Sequence, residues 1–503
     1  MRQTKETQNG ITLISLIVTI IVLLILAGIS IATLNGDNGI IKKSKEAKEQ
    51  TEISEEKEVV DRATVQAMEN NKKGELIESN LQEELDKIVS SGKTEVTDTG
   101  EEFEILFKES NRYYIVDEEG SILEQQTIEK MEYAGDITKN GQYDGSEERP
   151  YQISCIEDLV ALSNISRGKG KICINGKIEE VKKGNTFLGK NIELTRTLNF
   201  KSNYSYADSS RTDFGDLNTN GNIESIREEL TNTDEGGIGF APINVLEGSF
   251  NGNNFKIANI YINSKEAAGL FIGLTNCKCA NVRISGKIKG IGDTGGICAR
   301  GNKAIIDNCI NYADVTGSGN CTGGICGVAN GGSLIIKNCS NHSDIQSTIA
   351  KPVGGILAWS WSENVNVYNC FNTGSIDGTG TKAGIIGSSS YNNSTKMVNC
   401  YNIGIMKNNR RGTGLLCGYG EGTTIINSYY QKTKDMMGIG IKGAVAEMPT
   451  VDKSICYDDI DMRGEKLLNA LNDYVDNNLN IEGKKQEYKK WKRADNGYPE
   501  LEI

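Results

Sequence analysis

Apolar and polar positions change rhythm several times along this chain of 503 residues. From Ile11 to Gly36 there is no charged residue, and Ile11–Leu34 is long enough, at about 1.5 Å per residue, to cross a bilayer core of roughly 30 Å. A glycine-rich break, Asn35–Gly39, leads into a charged helical pattern from Ile40 to about Asn71. Its apolar residues are sparse (Ile53, Val59, Val60, Ala63, Val65), which predicts a surface or filament-packing helix and not a core element. Asn80–Ile88 predicts a second short helix capped by Asn80. Phe103–Val116 alternates like two strands around a Ser-Asn turn. Gly135–Pro150 is polar and turn-rich, which predicts a linker and a boundary near residue 136.

Beyond that point the pattern repeats. Asn-Cys recurs at Asn308-Cys309, Asn338-Cys339, Asn369-Cys370 and Asn399-Cys400, with Cys spacings of 30, 31 and 30 residues; Asn281-Val282 precedes the series and Asn427-Ser428 follows it. Upstream of these lie Gly295-Gly-Ile297, Gly323-Gly-Ile325, Gly354-Gly-Ile356, Gly384-Ile-Ile386 and Gly414-Leu-Leu416. Six residues after each Cys comes an apolar position, Val315, Ile345, Ile376 and Met406, matched by Ile288 in the opening repeat. Short alternating segments broken by glycine turns at one fixed period predict the coils of a parallel β-solenoid. The Ile297, Cys309 and Val315 rows then stack at roughly 4.8 Å per coil to form the interior.

Composition narrows the picture. With 57 Gly, 5 Pro, one His and a formal net charge of −12, the chain lacks a nucleic-acid signature. Thirteen Cys in an exported protein would suggest a disulfide framework, and the geometry of stacked coils allows bridges. The odd count, and the apolar equivalents Val282 and Leu357 in the same rows, favour free thiols packed as small hydrophobes.

The junction Gly10-Ile11-Thr12-Leu13, a short polar leader ending in Gly immediately before the apolar helix, resembles the processing site of type IV pilins and pseudopilins. The resemblance implies cleavage after Gly10 by a prepilin peptidase, methylation of Ile11, a membrane segment at residues 11–34, and pilin-like subunits as partners. Where that family carries Glu at the fifth mature position, this chain has Ser15. A buried ammonium needs a partner, so the departure fits a minor or tip subunit, or a relative retained in the membrane, better than a shaft subunit. Lys42, Lys43, Lys45 and Lys48 beyond the helix oppose a simple positive-inside orientation.

A second resemblance covers about residues 150 to 503. Phe240-Ala-Pro-Ile243, Gly248–Ile262, Gly269-Leu-Phe-Ile-Gly273 and the Gly-Gly-Ile-Cys repeats look like the GLUG-motif regions of bacterial surface adhesins. Tyr151–Ser163 resembles the segment that opens such regions, and Trp491–Leu501 the tail that closes them. The expected architecture is therefore a prepilin leader (1–10), a transmembrane and pilin-like helix (11–75) and a small α+β head (76–136). An all-β parallel β-helix follows, with an N-terminal cap and first coils (137–265), GLUG-like repeats (266–432) and a C-terminal cap (433–503). What the resemblances imply is a cell-surface adhesin, membrane-anchored or pilus-associated, and not an enzyme. A structural surface or filament scaffold is the main alternative, and a polysaccharide-degrading β-helix enzyme a distant one.

Few residues offer chemistry. Asp314 and Asp344 should stack on adjacent coils, but Ser375 and Ile405 follow them, which predicts a solvated pair and not a catalytic dyad. GLUG regions also accompany zinc peptidases, yet there is no His-Glu-x-x-His, and the one His, His342, sits in an exposed-looking Asn-His-Ser-Asp turn. Asp216, Asn218, Asn220, Glu224 and Glu228 place oxygen ligands around Gly221 much as a structural calcium loop does, or form an Asn/Gly-rich turn before a helix. Trp359 and Trp361 in Ala358-Trp-Ser-Trp-Ser-Glu363 either pack laterally on a loop or present rings to a host or matrix glycan or protein receptor.

Overall fold

The structure, a computed structural model, describes residues 40–502 apart from 72–73, 99–101, 111, 128–134, 175–176, 201–238, 390–393, 409, 435, 443–449 and 481–487. The processing site, the apolar segment 11–34 and the candidate calcium loop lie outside the described residues. Among those described, no helix is long and apolar enough to cross a membrane. The chain divides into two compact units, Met1–Glu129 and Lys130–Ile503.

In the first unit, α1 (Ile40–Asn70) and α2 (Glu78–Val89) pack with a four-stranded antiparallel sheet in the order β1 (Thr94–Asp98), β2 (Phe103–Phe107), β3 (Arg112–Val116) and β4 (Ile122–Thr127). The expected hairpin is β2–β3; the two outer strands were not anticipated. α2 starts at Glu78 behind Ile77, which makes no side-chain cap, so Asn80 lies inside the first turn and not at its cap. The expectation that α1 stays on the surface is also corrected. Val60, Ala63 and Ala67 are fully buried and cluster with Leu81, Leu85, Ile105 and Tyr114. Three small side chains at helical spacing form a stripe too narrow to stand out against the charged residues around it, yet they allow close approach of α2 and the sheet. The buried Arg112 anchors the same helix: Nε donates to Glu56 Oε2 at 2.7 Å and Nη2 to Glu52 Oε2 at 3.0 Å, while Tyr114 donates its hydroxyl to Glu56 at 2.9 Å.

The second unit is a parallel β-solenoid. One of its sheets has eight parallel strands, from Ile243–Leu246 through Cys298–Asn302, Cys326–Asn330 and Leu357–Trp361 to Ile439–Lys442, one from each coil. The apolar row is confirmed in register: Ile288 pairs with Val315, Val315 with Ile345, Ile345 with Ile376, and Ile376 bridges to Met406. The glycine row needs a one-residue correction, because Gly354 pairs with Ala383 and not with Gly384. Side chains alternate in direction along a strand, so this slip decides that Ile385 shares a row with Ile356, and Ile386 with Leu357. The polar stretch read as a linker is built into this unit: Asp136, Ile137 and Thr138 are buried, Gln152 N donates to Ile137 O at 3.0 Å, and Asn191 N donates to Gly145 O at 2.8 Å. α3 (Ile156–Ser166) packs against the first strand of the eight-stranded sheet, where it covers an edge that would otherwise invite pairing.

Each Asn-Cys pair forms a corner. Asn281, Asn308, Asn338, Asn369, Asn399 and Asn427 all take a left-handed φ of +45 to +58°, a conformation that Asn tolerates better than most residues. Their amides form a ladder: Asn369 Nδ2 donates to Asn338 Oδ1 at 2.9 Å, Asn399 to Asn369 at 2.8 Å, and Asn427 to Asn399 at 2.7 Å. A second, buried ladder runs through Asn311, Asn341, Asn372 and Asn402 at 2.7 to 2.8 Å. Between the ladders lie the thiols, all free and fully buried. Cys309 N donates to Cys339 Sγ at 3.4 Å, Cys339 N to Cys370 Sγ at 3.4 Å, and Cys370 N to Cys400 Sγ at 3.5 Å; Cys400 N finds Ser428 Oγ at 3.2 Å. The sulfur is therefore an acceptor for a corner N–H as well as a core filler, which accounts for Ser at the last coil.

The tail does more than close the end of the stack. α4 (Asp459–Arg463), α5 (Glu465–Tyr474) and the Trp491–Leu501 hairpin bury Phe371, Tyr401 and Tyr429 from successive coils under Met462, Leu467, Leu471, Trp491 and Tyr498. Trp491 Nε1 donates to Asn369 Oδ1 at 2.8 Å, and Lys489 N donates to Asn338 Oδ1 at 3.1 Å. Replacing the Cys370 acceptor tests the corner: Cys370→Ala should lose roughly 1–3 kcal/mol in urea unfolding, and Cys370→Ser should lose less. Equal or better stability of the Ala variant would reduce the cysteine row to simple packing.

Candidate ligand-binding face

The two candidate tryptophans lie on a strand, Leu357–Trp361, and not on a turn. Simple alternation is not kept along it: Leu357, Ala358 and Ser360 are buried, whereas Trp359 is half-buried and Trp361 is 57% exposed. Their rings stack at 4.6 Å with 26° between planes. A stacked pair holds each indole in one orientation, which lowers the entropy lost when a ligand lands on it.

Register brings further residues into the same face. Trp359 stands between Val328 and Ser388, with Arg300 beyond Val328 and Tyr419 beyond Ser388; Trp361 stacks on Asn330, which follows Asn302. Arg300 Nε donates to the buried carboxylate of Asp293 at 2.7 Å, and Tyr419 donates its hydroxyl to Glu421 at 2.9 Å. Bonding to that carboxylate, aided by burial, holds the Tyr419 phenol above its ordinary pKa. Aromatic rings beside fixed amide, guanidinium and carboxylate groups suit recognition of a hydroxyl-rich or peptide surface. Tyr419 and Arg300 were missed in the sequence because no repeat marks outward positions, and strict alternation from the buried Cys298 and Cys417 two residues earlier would have placed them inward.

The carboxylates do not converge. Asp314 accepts from Ser343 Oγ at 3.1 Å, and Asp344 pairs with Lys407 at 3.1 Å and takes the Ser375 hydroxyl. Bonding to Ser375 and then Lys407 holds the Asp344 carboxyl below the usual range. Among the described residues no group of three or more His, Cys, Asp and Glu side chains is placed to hold a metal ion.

His342 is not the exposed turn residue it was expected to be. Its ring stacks on Tyr312 at 4.8 Å and meets Phe371 edge-on at 5.2 Å, with Nε2 3.0 Å from Ser340 Oγ and Nδ1 3.2 Å from Thr373 Oγ1. Burial pushes its pKa down from 6.5 to about 4. The fold thus favours the neutral ring, a contribution fully present above pH 6.5 and lost as the pH falls through 4. His342→Gln should flatten the fall of Tm across that window; identical slopes in the two proteins would contradict this assignment.

No family model and no curated protein matches the chain. Among solved structures it is similar to that of a "putative immunoglobulin A1 protease" from Bacteroides ovatus, with 17% sequence identity and a TM-score of 0.46 over 72% of this chain and 94% of that one.

Proposed function

We propose that this chain is a non-enzymatic attachment protein of the cell surface, a prepilin-like adhesin that displays its β-solenoid. The observation that carries the reading is the stacked Trp359–Trp361 pair, with Trp361 57% exposed on an outward face of the parallel sheet. A large ring left open to water on a rigid sheet has no role in the core and is a natural anchor for a partner. In this reading the solenoid supplies reach and binding surface, and the segment after Gly10 supplies assembly or anchorage. Ser15 favours a pilus tip or the membrane over a shaft. A structural scaffold that binds only its own kind is the rival.

Two measurements separate these readings. The Trp359→Ala, Trp361→Ala double variant should keep the wild-type circular dichroism and Tm but lose at least tenfold in binding to host or matrix glycans on an array; unchanged binding would reject the Trp face. Mass spectrometry of the mature amino terminus should find a methylated Ile11, and an intact Met1 would contradict the prepilin route.

A further inference from the structure

One row of the eight-stranded sheet alternates in size from coil to coil, on the same face as the stacked tryptophans. Register places Gly273, Arg300, Val328, Trp359, Ser388 and Tyr419 one above the other. Gly273, Val328 and Ser388 are buried, and each is followed one coil on by a large side chain that reaches solvent: Arg300, Trp359 and Tyr419. Large side chains therefore recur every second coil, about 9.6 Å apart at twice the strand spacing. The row beside it carries Asn302 and the exposed Asn330 and Trp361. Asn302 Oδ1 accepts from Gly332 N at 2.7 Å, which fixes that amide.

We propose that this strip binds an uncharged, extended β-1,4-linked polysaccharide laid along the solenoid axis, an inference that rests on the reading of the Trp face as an attachment surface. Repeat length chooses among polymers. Two residues of an extended peptide span about 6.7 Å, out of step with the row. The disaccharide repeat of a β-1,4-linked chain of all-equatorial hexoses matches two coils instead. Alternate sugars of such a ribbon turn the same face to the protein, so every second sugar meets Trp359 or Tyr419 in the same way. The flat C–H face of a sugar stacks on an aromatic ring, and its rim of hydroxyls meets the amides of Asn302 and Asn330. Val328 and Ser388 lie low in the row, below the intervening sugars. The one charged side chain of the row, Arg300, is already paired with Asp293 at 2.7 Å, so the strip suits a neutral chain.

Titration calorimetry of the purified full-length chain with cello-oligosaccharides of two to six units tests this. A trisaccharide is the shortest chain that reaches both Trp359 and Tyr419, so it should bind roughly tenfold tighter than the disaccharide. Tyr419→Ala should remove that gain and leave disaccharide binding, the internal check on folding, unchanged. Affinity should level off by the pentasaccharide, which also reaches Arg300. Oligomers of α-1,4-linked glucose, which coil and lose the repeat, should gain nothing with length. Equal gains in the two series, or no binding of the β-linked series, would overturn the proposal. If array binding to other glycans still depends on Trp359 and Trp361, the attachment reading survives that outcome; if it does not, both fall.

Discussion

The second unit depends on every coil repeating the same backbone corner directly above the last. Asn at a left-handed φ turns the chain, and its amide bonds to the equivalent amide one coil away. The following cysteine then offers sulfur to an N–H of the preceding coil. A residue that cannot hold this conformation leaves buried polar groups without their partners; where the ladder passes from Asn308 to Asn338, Asp307 takes the Asn338 amide instead. The corner thus explains why Asn-Cys is the most regular feature of the chain, and why Ser428 can stand in for cysteine at the end.

The same constraint accounts for the cysteine content of the chain. Thirteen cysteines suggest cross-linking, yet the twelve described are all free. Burial holds the Cys339 and Cys400 thiols well above the ordinary range and pushes Cys417 up to about 12. Only the thiolate reacts, and burial in the stacked core also keeps reagents away from the sulfurs of the corner row. Stacking in register then places sulfur, amide and aliphatic rows side by side without a single cross-link among the described residues.

Legibility in the sequence followed periodicity. The Val315 row and the Asn-Cys corners were readable because inward positions repeat in every coil. The slip at Ala383 was not, since Gly354-Gly-Ile356 and Gly384-Ile-Ile386 look alike while the strand pairing counts residues. Helix α1 was misread because Ala63 and Ala67 bury efficiently without looking hydrophobic, and the inner Asn341 ladder was overlooked because a buried amide resembles a loop residue. The candidate site was half legible. Trp359 and Trp361 stand out by type, but their strand setting and their neighbours Arg300 and Tyr419 emerge only from the pairing of coils. Surface positions face water and not the next coil's core, so nothing forces them to repeat.

Thiol accessibility probes the stacked core most directly. The chain is treated with a maleimide in the native state and again after unfolding, and each cysteine is mapped by non-reducing mass spectrometry. The account predicts that Cys309, Cys339, Cys370 and Cys400 stay unlabelled until the chain unfolds and are then recovered as free thiols, while the exposed Cys456 reacts at once. Rapid native labelling of that row, or its recovery as disulfides, would contradict the stacked corner on which the architecture rests.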